Sequence, residues 1–65
     1  MINDIGTTAG MIWQVLDRDG ELSLAELKRK VNAKAPLFDW AIGWLAREDK
    51  IVVTKVKQTV RISLK

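Results

Sequence analysis

The chain reads as an α+β domain in which three helices carry a small antiparallel sheet, in the order helix, strand, helix, helix, strand, strand. Three observations point to this. An apolar stripe of helical period runs from Ile5 to Leu16. A capped start at Ser23 and a proline-bearing turn at Asn32–Pro36 frame two further helical segments, and the stretch from Ile51 to Lys65 is β-branched and alternating.

The first helix is expected from Asn3 or Asp4 to about Arg18. Ile5, Ala9, Ile12 and Leu16 recur at i, i+4, i+7 and i+11, with Ile2 and Trp13 flanking, and this makes one apolar face. Asp4 puts an anion near the helix start, and Gly20 is a fitting stop. Gly6 and Gly10, four apart on one side, either permit a close helix approach or are simply tolerated. Glu21-Leu22 is too short to stand alone but suits a brief third strand beside a hairpin. Ser23 then caps helix two, and Glu26, three residues on, completes a capping box. Leu24, Leu27 and Val31 form its inner face. Lys28, Arg29, Lys30 and Lys34 gather at its C-terminal end, where positive charge favours the helix dipole.

Pro36 suits the first position of helix three, where its missing N–H leaves no bond unmade. That helix is expected from Pro36 to Glu48. At helical spacing Leu37, Phe38, Ala41, Ile42 and Leu45 fall within one arc of roughly 140°. Trp44 borders this core face, and Asp39, Gly43 and Arg47 point outward with Trp40 beside them. Val60, Ile62 and Leu64 alternate with Thr59, Arg61, Ser63 and Lys65, so the last strand is half-buried. Its partner is Ile51–Val56. The connection at Lys57-Gln58 holds no glycine or asparagine, which predicts a loop somewhat longer than a two-residue primed turn. Helix, turn, helix, hairpin is the plan of a winged helix-turn-helix, here a single domain over residues 1–65.

Composition narrows the function classes. A chain of 65 residues without cysteine has no disulfide to supplement a core of marginal size, so association into a homodimer is an expected route to more buried area. There is no histidine either, and the residue types that most often do general acid–base or nucleophilic work are therefore absent. Asp17, Asp19 and Glu21 echo part of a calcium loop but lack its later glycine and glutamate. No phosphate-cradling glycine loop is present. The expectation is a protein with no catalytic residues, no metal, no cofactor and no evident small-molecule ligand. No apolar run reaches the roughly 20 residues of a membrane span, and the N-terminus lacks the pattern of a signal peptide, so a cytoplasmic protein without membrane contact is the natural reading.

Charge is segregated along the chain. Residues 1–27 hold one base against five acids, a net of −4, and residues 28–65 hold ten bases against three acids, a net of +7; together these give the net +3 of the whole chain. A folded domain built this way has a positive side.

Ile5–Trp13, Leu22-Ser-Leu-Ala-Glu-Leu27 and Ala41–Ile51 together resemble a family of small bacterial winged helix-turn-helix proteins of unassigned function. The resemblance spans nearly the whole chain, and Gly43-Trp-Leu-Ala-Arg-Glu-Asp-Lys-Ile51 is its most specific part. It implies three helices and a small sheet whose hairpin is the wing, and it is compatible with dimeric association. It implies no reaction.

Two functions compete. In the first, the domain binds double-stranded DNA, mainly by phosphate contacts from Lys55, Lys57 and Arg61 on the wing and from Lys28, Arg29 and Lys34 on and after helix two, with Arg47 the one base reader. Asp39 near the start of helix three would repel phosphate, which argues against sequence readout by that helix. In the second, the scaffold is a protein-contact or dimerisation module. Trp40 and Trp44 lie on or beside the outward edge of helix three and are of the type enriched at interface hot spots, with Met11 and Val15, core-edge residues by default, adding to the surface from helix one if the chain pairs. The simpler expectation for Trp13 and Trp44 is that they complete the small core.

Overall fold

The computed structural model describes residues 2–65, with side chains from residue 4 onward; the expected flanking role of the Ile2 side chain lies outside that range, while the first helix begins at Ile2, before the expected Asn3 or Asp4. The elements run α1 (Ile2–Asp19), β1 (Leu22–Ser23), α2 (Leu24–Val31), α3 (Leu37–Arg47), β2 (Ile51–Val56) and β3 (Thr59–Leu64). This is the expected order, and the sheet is antiparallel with strand order β1-β3-β2.

Helix ends follow local chemistry. Gly20, at φ 78°, turns the chain out of α1 while its N–H donates to the Leu16 carbonyl at 2.8 Å. Glycine takes this left-handed conformation without steric strain. The capping box of α2 is complete: Glu26 N–H donates to Ser23 Oγ at 3.2 Å, and Ser23 N–H donates to Glu26 Oε1 at 3.1 Å. Asn32 ends α2 in the left-handed region, with its N–H on the Lys28 carbonyl. At the end of α3, Lys50 N–H donates to the Leu45 carbonyl and Asp49 N–H to that of Ala46, with Asp49 at φ 61°. That pair of bonds is a Schellman motif with an aspartate where glycine is usual.

The core is formed by all six elements. Ile12, Leu27, Phe38, Ala41 and Ile62 are inaccessible, and Ala9, Leu16, Leu45 and Ile51 nearly so. The expected faces of α1, α2 and α3 are therefore the buried ones, with Ile5, Leu24 and Ile42 packed at the edge. Leu22 pairs with Ile62 across β1 and β3, and this brings the start of α2 onto the sheet.

The structure corrects several expectations. Val15 belongs to the core at 9% exposure, not to an outer surface, and Thr8 is buried with it. The reason is that α1 touches α2, α3 and β3 together, so its buried arc is wider than one stripe. Trp13 and Trp44 do not complete the core; they remain 43% and 45% exposed, because aliphatic side chains and Phe38 already fill it. Helix α3 begins at Leu37, with Pro36 at the cap position, its carbonyl accepting the Trp40 N–H at 3.0 Å. The wing loop is a two-residue turn, since Val56 pairs with Thr59, and Lys57 takes the positive φ (56°) that such turns demand of their first central residue. A Cβ at Gly6 or Gly10 would meet nothing within 4 Å, so neither glycine mediates a close helix approach.

Candidate nucleic-acid interface

The register of the sheet sets the relation between α2 and the wing. Ser23 opposes Arg61 in β3, so the first turn of α2 rises beside the hairpin. Between them lies an open groove of about 570 Å³, with Leu24, Ala25 and Val60 as apolar floor and Lys28, Gln58 and Thr59 as polar rim. Its walls come from segments far apart in the chain, and no sequence signal marks it. The Lys28 ammonium lies 5.9 Å from the centroid of the buried Phe38 ring, at the outer reach of a cation–π contact.

Ion pairing divides the basic residues into two sets. Arg18 and Lys30 both engage Asp19, at 3.1 and 3.3 Å, and Lys65 engages Asp49. Arg18 holds the Asp19 carboxyl below its usual range by a direct hydrogen bond, with Lys30 adding to the effect. Arg61 is half-buried in the central strand and lies 3.4 Å from a Glu21 carboxylate oxygen, so its charge is shared within the fold. Among the described residues, Lys28, Arg29, Lys34, Arg47, Lys50, Lys55 and Lys57 are exposed and in no ion pair. Lys28 and Arg29 stand on α2, Lys34 in the turn after it, Lys55 in β2 and Lys57 at the wing tip. Arg47 stands apart, at the last residue of α3. The Glu26 carboxyl is held below the ordinary carboxylate range, first by the Ser23 backbone N–H and then by the Ser23 hydroxyl, with Arg61 and Arg29 as weaker contributors.

The outward side of α3 carries Asp39, Trp40, Gly43 and Arg47, all exposed as the helical spacing requires. Trp40 and Trp44, one turn apart, are 42% and 45% exposed, and Met11 on α1 is 38% exposed. The acid in the first turn of α3 occupies the place from which a recognition helix ordinarily meets the bases. Among the described residues no cluster of acidic side chains could hold a metal ion, and no helix is long and apolar enough to cross a membrane.

Residues 1–64 match the family model described as a winged helix-turn-helix domain (DUF2582). The chain belongs to this family. It is 44% identical over 68 residues to an uncharacterised protein of the archaeon Methanocaldococcus jannaschii, an alignment covering all of this chain and 96% of the relative. The DUF2582 family thus reaches beyond the bacteria implied by the sequence resemblance. A solution NMR structure of a Bacteroides thetaiotaomicron protein superposes with a TM-score of 0.82 at 35% identity, covering 95% of this chain and 76% of the other. The winged helix-turn-helix architecture expected from the sequence is therefore the architecture observed, shared with a solved structure of the same plan.

Proposed function

We propose that this DUF2582 domain binds double-stranded DNA through phosphate contacts, made by Lys28, Arg29 and Lys34 on and after α2 and by Lys55 and Lys57 on the wing, with Arg61 a weaker contributor because Glu21 shares its charge. The observation that carries the reading is the set of exposed cations without ion pairs on α2 and the wing, in a fold whose family is a winged helix-turn-helix. Contacts of this kind confer affinity and salt dependence without reading sequence. The acid at the start of α3 and the lack of Asn, Gln or Lys on its outward side oppose a direct base readout, and Arg47 alone has the right chemistry for one.

Fluorescence anisotropy of a labelled random-sequence duplex tests this. If four or five cations engage phosphates, affinity falls with salt at a log–log slope of about −4. Replacing Lys28 and Arg29 by Ala, or Lys55, Lys57 and Arg61 by Ala, lowers both affinity and slope. Duplex binding left unchanged by both sets of substitutions removes the basis of the proposal.

A second reading rests on the exposure of Trp40 and Trp44: α3 is a protein-contact surface, extended by Met11. Indole fluorescence of Trp13→Phe, in which only the α3 tryptophans report, would shift blue on contact with a partner that covers them. A Trp40→Ala variant that retains every measured association rules this reading out.

A further inference from the structure

The outward face of α3 holds residues that the fold itself does not use. Gly43 lies inside the helix and exposed, and a Cβ there would meet nothing within 4 Å, so packing within the chain does not call for glycine. Glycine is nonetheless the poorest helix former after proline. Asp39 and Arg47, four residues before and after it, are both exposed and, among the described residues, in no ion pair. Trp40 and Trp44 stand along one flank of this row, 42% and 45% exposed.

At 3.6 residues per turn, Asp39, Gly43 and Arg47 form one continuous row on the helix surface, each step turning about 40° and rising about 6 Å. Gly43 is the midpoint. The acid lies about 6 Å toward the N-terminus and the base about 6 Å toward the C-terminus. Such a row is complementary to itself when reversed, with a bare stretch of backbone at its centre.

We propose that α3 pairs antiparallel with α3 of a second copy, the two-fold axis passing at Gly43, so that Asp39 of each chain meets Arg47 of the other. The inference rests on the reading of α3 as a protein-contact surface and supplies its partner. The missing side chain at Gly43 lets the two helices cross near the lower end of the usual interaxial range, about 8 Å. A two-fold axis between antiparallel helices keeps each flank on its own side, so Trp40 and Trp44 of both copies share one flank and cover each other. At their observed exposure they leave roughly 200 Å² of indole in water per chain, apolar area of the kind that anchors interfaces. Parallel pairing would set Asp39 against Asp39 and Arg47 against Arg47, so charge selects direction as well as register. Asp39, which would repel phosphate, has a use in this arrangement, and Arg47 is engaged by a carboxylate rather than by a nucleobase. No residue of α2 or the wing enters the contact.

Sedimentation equilibrium of the intact chain tests this, with the emission of Trp13→Phe recorded over the same concentrations. A monomer–dimer equilibrium is expected, and the α3 indoles shift blue as the dimer forms. Gly43→Ala places a methyl group at the crossing without disturbing the monomer. Its Tm at low concentration rises, while the dimer dissociation constant increases about tenfold. Asp39→Arg or Arg47→Asp alone sets like charges together at both ends of the contact and weakens the dimer by about tenfold or more, and the double variant restores it. Circular dichroism establishes that each variant is folded. A dimer lost on Trp40→Ala but indifferent to the charge swap keeps α3 as a contact surface and overturns the antiparallel pairing. A chain that stays monomeric at millimolar concentration overturns the proposal outright, and quenching of the α3 indoles in that monomer by a single-stranded oligonucleotide would assign the face to base stacking instead.

Discussion

Lys57 offers a test in which stability and binding move in opposite directions. It sits at φ 56° in a two-residue turn. A left-handed backbone costs a residue with a side chain roughly 1–2 kcal/mol, whereas glycine adopts it freely but loses about 0.5–1 kcal/mol more conformational entropy on folding. Lys57→Gly is thus expected to stabilise the domain by about 0.5–1 kcal/mol. For 65 residues the unfolding entropy is about 0.14 kcal/mol/K, so Tm rises by about 4–7 °C. The neighbouring residue is the control: Gln58 is not among the positive-φ positions, so Gln58→Gly gains nothing and lowers stability by about 0.5–1 kcal/mol. Thermal unfolding followed by circular dichroism measures both. In the anisotropy assay Lys57→Gly reduces the salt slope by about 1, since one phosphate contact is removed. Equal effects of glycine at 57 and 58, or a loss of stability at 57, would refute the turn geometry. A stabilised variant with an unchanged salt slope would show that Lys57 does not touch phosphate.

Ser23→Ala removes one half of the capping box and lowers stability by about 1 kcal/mol in urea unfolding, while Ser23→Asp, which keeps an acceptor, lowers it less. Gly10→Ala, in the exposed side of α1 with open space around its Cβ, raises stability by about 0.8–1 kcal/mol. Gly20→Ala, at φ 78°, lowers it by about 1 kcal/mol, and opposite signs at the two glycines distinguish a tolerated glycine from a required one. The Glu26 carboxyl has a lowered pKa in the fold, so the stability it contributes is present above the ordinary carboxylate pKa and is lost as pH falls through the folded value. Glu26→Gln should therefore flatten the acid side of the stability profile, and a profile parallel to that of the unaltered chain would contradict the capping contact.

What could be read without coordinates was whatever depends on neighbours along the chain. The α1 and α3 faces follow from residues three and four apart, Ser23 and Glu26 cap within one turn, and the alternation of β3 marks its inner side. Gly20 could be read as a helix stop because a single residue carries the needed backbone freedom. Three features depended on how elements meet. Val15 is buried because α1 is gripped from several sides, which no single-helix pattern encodes. Trp13 and Trp44 stay at the surface because the core was filled by smaller side chains from other elements, so volume and not hydrophobicity decided their place. Arg61 and Lys57, alike in the sequence, separate once folded: the sheet register carries Arg61 to Glu21 and leaves Lys57 at an exposed turn whose tightness overrides its unfavourable residue types. The groove between α2 and the wing belongs to the same class. It arises where strand order and helix packing juxtapose what the chain itself holds far apart, and so local sequence fixes the elements while only tertiary packing decides which of their surfaces remain available for partners.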